Sequence, residues 1–238
     1  MSPLESNALF PENQHGFRAL RSTMSALSII QKEWIEGMNN KEIIGVLLWD
    51  LSAAFDTVNA DLLCQKLKLY GFDANSVAWF KSYLTERKQR IKIGNVKSDL
   101  IDLESGVPQG GVLSTLVFII FVADFKLWLK WAWAIVYADD TSTSITGKSI
   151  EDVMHKLEHD ALNVLRFMAS NQLVANPKKT NFMILNHGME DLEATIGDEK
   201  VKQCTSAKLL GINIDSLKNS LTSALNSKIF LLKRLKTM

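Results

Sequence analysis

The chain has 238 residues, 47% of them apolar and 22% charged. That is an ordinary balance for a soluble globular protein, long enough for one large domain or two small ones. Its 27 basic and 26 acidic residues leave a net charge of +1, so overall charge gives no case for nucleic-acid binding and only local clusters could make one.

Residues 1–13 carry Pro3, Glu5, Pro11 and Glu12 without an apolar run, which excludes a secretory leader there. Cys64 and Cys204 share no motif spacing and read as reduced thiols of an intracellular protein, in the cytoplasm or nucleus. Ser22 or Thr23 is placed to cap a helix carrying Met24, Leu27, Ile29 or Ile30, and Trp34. Ile43 to Trp49 is a continuous apolar run ending at Asp50, the pattern of a buried strand with a carboxylate at its tip. A helix is expected from about Asp61 to Tyr70, stopping at Gly71, and a second over roughly Asn75 to Thr85. Arg90 to Val96 alternates around Gly94-Asn95, which predicts a hairpin.

The loop Ser105-Gly106-Val107-Pro108-Gln109-Gly110-Gly111 leads into an apolar helix from Val112. That helix is too short to span a bilayer. Ala134 to Ala138 reads as a strand, Asp139-Asp140 as a turn, and Thr141 to Ile145 as β-prone. Ile150, Met154, Leu157, Ala161, Leu165 and Met168 recur at helical spacing, predicting an amphipathic helix over about 150–170. A strand over Asn181 to Asn186, a hairpin at Leu209 to Ile212 and a basic helix from about Leu217 complete the chain. Strands and helices mix without a βαβ rhythm, so the class is α+β.

Asp50 and the pair Asp139-Asp140 each end an apolar run. If the two strands are neighbours, three carboxylates converge, and such a cluster needs a cation. Hard divalent ions take a few carboxylate oxygens plus substrate phosphates. Two of them about 4 Å apart can activate a 3′-hydroxyl and stabilise a leaving pyrophosphate.

Leu48-Trp49-Asp50-Leu51-Ser52-Ala53-Ala54-Phe55-Asp56 resembles the first carboxylate motif of non-LTR (LINE-type) retrotransposon reverse transcriptases. Ser105 to Gly111 is similar to their Pro-Gln-Gly loop, and Tyr137-Ala138-Asp139-Asp140 to their second carboxylate motif. Gln14-His15-Gly16-Phe17-Arg18 resembles a fingers motif, Asn176-Pro177-Lys178-Lys179-Thr180 the motif after the palm helix, and Leu209 to Ile212 the primer-grip region. The resemblance runs from about residue 14 to 236, in the family's order.

It implies a right-hand polymerase: an antiparallel palm sheet with helices on one face, partial fingers and a truncated thumb. The expected division is 1–40 partial fingers, 41–190 palm with an inserted fingers hairpin near 86–100, and 191–238 primer-grip hairpin and start of the thumb. The implied activity is RNA-directed DNA synthesis from a DNA primer on an RNA template, using deoxynucleoside triphosphates. Asp50, Asp139 and Asp140 would hold two Mg²⁺ or Mn²⁺ ions, with a Leu51 backbone carbonyl adding to one.

Phe55 would lie beneath the incoming sugar and exclude a ribose 2′-hydroxyl. Gln109 and Gly110 would meet the nascent base pair, Arg18 and Arg21 the triphosphate, and Lys178 or Lys179 the leaving phosphate. Leu210 and Gly211, with Lys233 and Arg234 of the last helix, would meet primer and template. Basic residues around the proposed hairpin, Lys81, Arg87, Lys88, Arg90 and Lys92, suit a phosphate backbone equally well.

Gly111, Ser114-Thr115, Trp49 and the tryptophans Trp128, Trp131 and Trp133 depart from the family pattern. The resemblance also implies a piece of a longer polyprotein, and the competing reading is an inactive relic that at most binds RNA. His155-Lys156-Leu157-Glu158-His159 matches an inverted zinc-protease pattern. Both histidines should face water on the predicted helix, so the match is read as chance.

Overall fold

A computed structural model describes residues 11–52, 54–138, 140–188 and 191–216. Helix α1 (Thr23–Asn39) is capped by Ser22, which forms a reciprocal capping box with Ser25. Strand β1 (Ile43–Trp49) follows, then the short β2 (Leu51–Ser52). Helices α2 (Ala60–Leu69) and α3 (Ala74–Leu84) take Asn59 and Asp73 as N-caps, within a residue of expectation. The proposed hairpin is two nested pairs. Strands β3 (Arg87–Gln89) and β6 (Ile101–Leu103) enclose β4 (Lys92–Ile93) and β5 (Val96–Lys97).

Helix α4 (Val112–Phe121) leads to β7 (Trp133–Tyr137) and β8 (Asp140–Gly147). Helix α5 (Ile150–Ser170) precedes β9 (Val174–Ala175) and β10 (Asn181–Leu185). Two hairpins follow, β11 (Glu193–Ile196) with β12 (Glu199–Lys202), and β13 (Ser206–Leu209) with β14 (Ile212–Asp215). The expected C-terminal basic helix, with Lys233 and Arg234, lies outside the described residues.

The central sheet has the order β10-β1-β8-β7, and each pair in it is antiparallel. Every residue of β1 is buried, and alternation divides them between two cores. Ile43, Leu47 and Trp49 join the cluster built on α4 and α5, whereas Ile44, Val46 and Leu48 join Ala26, Leu27, Ile30 and Trp34 of α1. Sequence reading places helices on one face of this sheet. Instead α1 adds a second helical layer on the other, because the uniform apolar run of β1 has two faces to cover.

The most polar strand of the sheet, β8, is buried at Thr141, Ser142, Thr143 and Ser144. Its hydroxyls are matched from both sides. Trp34 Nε1 donates to Ser144 Oγ (2.9 Å), and Trp49 Nε1 to Thr143 Oγ1 (3.0 Å). These bonds offset the penalty of burying hydroxyls and account for the bulky residue before Asp50.

Candidate active site

The last paired residues of β1 and β8 are Trp49 and Thr141. One step beyond that pair, β1 carries Asp50 and β8 begins with Asp140. Both carboxylates line one cavity of about 270 Å³, together with Thr141, Lys179, Asn181 and Lys208. Lys179 Nζ stands 3.8 Å from Asp50 Oδ2, so the chain itself brings a cation to this acidic rim. On the other side, β7 and β8 pair up to Tyr137 and Asp140, which leaves a two-residue turn. Ala138 occupies the first turn position with φ +60°. Asp139 lies outside the described residues, as do any distances to it. Leu51 is held by an antiparallel pairing of β2 with Ala175 of β9.

The hard oxygen donors Asp50, already answered by the Lys179 ammonium group, and Asp140 suit a divalent ion better than a soft metal. Among the described residues no group of three or more His, Cys, Asp or Glu side chains is arranged to hold a metal. A third carboxylate would have to come from position 139.

Phe55 is half-buried and braced on several sides. Its ring stacks on Phe118 of α4 (centroids 4.7 Å, 28° between planes) and meets the edge of Phe17 (6.3 Å, 84°). Its carbonyl accepts from Val107 N (2.8 Å). The Pro-Gln-Gly loop is thereby fastened to the first carboxylate motif, and three further bonds repeat the attachment. Gly106 N donates to Val58 O (2.8 Å), Ser105 Oγ to Asp56 O (2.9 Å), and Gln109 Nε2 to Asp56 Oδ1 (2.8 Å).

Gly106 itself has φ +86°, and a Cβ there would fall 2.9 Å from the Asp56 Cα and carbonyl oxygen. Only glycine fits. Ser114, one of the departures from the family pattern, bonds the Pro108 carbonyl and lies 3.1 Å from the Tyr83 hydroxyl of α3. It ties the loop to a neighbouring helix. Gly110 is exposed beyond these anchors with open space around its Cα.

Other expected residues lie elsewhere. Arg18 Nη1 donates to the Pro11 and Gln14 carbonyls (2.8 and 3.2 Å) within its own loop. Arg21 Nη1 is 3.3 Å from His15 Nε2 and lines a different cavity with Glu33 and Trp133. The structure therefore does not bring these arginines to the carboxylates. Of the two lysines, Lys178 pairs with Glu199 (3.4 Å), and Lys179 alone reaches Asp50. Leu210 and Gly211 form the tip between β13 and β14, and it is Lys208, beside that tip, that reaches the carboxylate cavity.

Sequence reading missed Lys208 and the Gln109 partner Asp56. The first is visible only as an alternate position in a strand, the second only as the end of a motif whose other members stand out. His155 and His159 are exposed, with Trp131 packed near both rings (6.1 and 4.7 Å), and Glu158 accepts from Thr195 N (2.7 Å). Both histidines face solvent, as the helical spacing predicts.

Residues 1–214 match the family model described as Reverse transcriptase (RNA-dependent DNA polymerase). The chain is 29% identical over 217 residues to a probable RNA-directed DNA polymerase from transposon BS of Drosophila melanogaster, covering 87% of this chain and 24% of that protein. It is 28% identical over 214 residues to the RNA-directed DNA polymerase from the mobile element jockey of the same species, covering 86% and 23%. The chain thus spans about a quarter of the length of the curated relatives it matches. A structure of apo telomerase from Candida tropicalis, truncated from its C-terminal domain, superposes with a TM-score of 0.60 at 14% identity, over 87% of this chain and 40% of that one. A telomerase structure from Candida albicans gives 0.57 at 15%, over 89% and 35%. These two likenesses concern the fold.

Proposed function

Because this chain belongs to the reverse transcriptase (RNA-dependent DNA polymerase) family, we propose that it is the catalytic core of a non-LTR retrotransposon RNA-directed DNA polymerase. It would add deoxynucleotides to a primer 3′ end on an RNA template. The observation that carries the reading is the β1–β8 register, which runs to Trp49 and Thr141 and brings Asp50 and Asp140 to the rim of one cavity.

Divalent ions would be held by Asp50, Asp139 and Asp140, with the Leu51 carbonyl as a further ligand. When bound they would supply Lewis-acid stabilisation of charge on the reacting phosphate. The protein's own part is orientation and selection. Asp50 follows directly on a fully buried strand, whose packing sets where its backbone lies. Lys179 would exchange its contact with Asp50 for the phosphates of the incoming nucleotide, supplying positive charge where negative charge accumulates.

Phe55, clamped between Phe118, Phe17 and the Val107 amide, would present a fixed surface to the sugar and exclude a 2′-hydroxyl. Gln109 and Gly110 would support the nascent base pair. Lys208 and the Leu210-Gly211 tip would face the primer.

Primer extension on an RNA template, with Mg²⁺ or Mn²⁺, tests the reading. Asp50→Asn and Asp139→Asn should each lower the rate by about a hundredfold or more. A wild-type chain that adds no nucleotide with either ion would favour the inactive relic instead.

A further inference from the structure

We infer that Asn13 to Phe17 is a positioning strut that holds the carboxylate-bearing β7–β8 turn and the Phe55 ring in one fixed relation. The inference rests on the reading of that turn and ring as parts of a polymerase site. Strand β7 is the edge of the central sheet, and this segment closes it. His15 N donates to Val136 O (2.7 Å), Val136 N donates to Asn13 O (2.9 Å), and Gln14 bridges Val136 in parallel sense.

Covering an edge strand is common, but three features go beyond a cover. First, the segment is polar and yet buried. Gln14 and His15 are 2% and 1% exposed. Gln14 Oε1 accepts from Gly16 N (3.0 Å), and His15 Nδ1 lies 3.0 Å from Ser25 Oγ in the first turn of α1. The loop is thus anchored to the helical layer behind the sheet.

Second, Gly16 presses its backbone directly on the turn. A Cβ at residue 16 would stand 2.4 Å from Ala138 N and 3.0 Å from the Tyr137 carbonyl carbon. These are backbone atoms with no side-chain freedom to yield. Ala138 has φ +60°, a conformation that residues with a Cβ rarely adopt, so the turn depends on its surroundings to keep its shape.

Third, the next residue reaches the other half of the site. Phe17 is 55% exposed, and its ring stands edge-on to Phe55, which is backed in turn by Phe118. One short segment therefore touches the backbone next to the carboxylates and the ring expected to meet the sugar. Gly16 acts on the metal-holding carboxylates and Phe17 on sugar selection, each through a neighbour.

The test uses the full chain with Gly16→Ala, Phe17→Ala, Phe55→Ala and the double variant of the two phenylalanines. Mn²⁺ binding to the protein alone is read by electron paramagnetic resonance, and single-nucleotide addition is resolved into kcat and KM. Gly16→Ala should weaken Mn²⁺ binding about tenfold while the circular dichroism spectrum is kept. It should also lower kcat about a hundredfold, with KM for the deoxynucleotide little changed.

Phe17→Ala should keep wild-type Mn²⁺ affinity and raise ribonucleotide incorporation, with no added effect where Phe55 is already alanine. Unchanged Mn²⁺ affinity and kcat in a folded Gly16→Ala protein would overturn the strut. So would a Phe17→Ala effect that adds in full to Phe55→Ala, and this second arm decides alone if Gly16→Ala does not fold. A wild-type chain that binds Mn²⁺ but extends no primer would remove the polymerase reading and leave the Mn²⁺ arm to judge the strut.

Discussion

Replacing Asp160 with alanine should destabilise the protein more than any other single change to a charged residue of α5. The residue is 2% exposed in the middle of that helix's apolar face. It accepts from three consecutive backbone amides, Lys130 N at 3.1 Å, Trp131 N at 2.8 Å and Ala132 N at 2.7 Å. Burial raises its affinity for a proton, but the Ala132, Trp131 and Lys130 amides outweigh that and hold the carboxyl below its ordinary range.

Alanine would leave those donors without their acceptor, at about 1–3 kcal/mol for each that water does not reach. With partial rehydration, a net loss of about 3 kcal/mol is expected, or about 6–12 °C in Tm for a domain of this size. Asp160→Asn keeps an oxygen acceptor and should lose about half as much. Differential scanning calorimetry measures both. Since a depressed carboxyl contributes its stability above its unfolded value, the difference between wild type and Asp160→Asn should shrink as pH falls through the acid range. A Tm for Asp160→Ala within about 1 °C of wild type would refute the idea that these amides depend on the carboxylate.

Phe55→Ala should admit ribonucleotides, seen as a rise in ribonucleotide over deoxynucleotide incorporation in primer extension; unchanged sugar preference would remove the role. Gly106→Ala meets both a positive φ and the Asp56 backbone, and should lower stability by about 1–3 kcal/mol in a urea titration while raising KM for the nucleotide. His15 is lowered to about 4 by burial and then by Arg21 and Arg18. The unfolded chain therefore binds the proton more tightly, and stability should fall as pH drops from about 6.5 to about 4, by at most about 3 kcal/mol. His15→Gln should flatten that part of the pH–stability curve.

Much of this arrangement is legible in the sequence because its signals are local. The apolar run Ile43 to Trp49 announces a buried strand, and the spacing from Ile150 to Met168 announces α5 with its stripe centred near Leu157 and Ala161. Both are found. What escapes is decided by partners distant in sequence. Asp160 sits inside that stripe, and nothing local distinguishes it from a surface acid until residues 130–132 are known to face it. Strand β8 is legible as β-prone over Thr141 to Ile145, but that its hydroxyls are core residues depends on Trp34 and Trp49, far away in the chain. The arginines of the N-terminal motif look like phosphate ligands by residue type, but the nearby Pro11 and Gln14 carbonyls and the His15 ring engage them. The pairings β2–β9 and β11–β12 give no period long enough to detect.

The two indoles also act as alignment pegs. Ser144 and Thr143 point to opposite sides of the sheet, and each meets a tryptophan packed into a different core, Trp34 of α1 on one face and Trp49 of the neighbouring strand β1 on the other. Sliding β8 by one residue in the sense that puts Ile145 in the place of Ser144 would remove the acceptor of the Trp34 indole and bury its N–H unanswered, at about 1–3 kcal/mol. A neighbouring strand of plain valine and isoleucine would oppose such a slip far less sharply. The alignment that sets Asp140 beside Asp50 is thus secured several residues away, by side chains that need never touch a nucleotide.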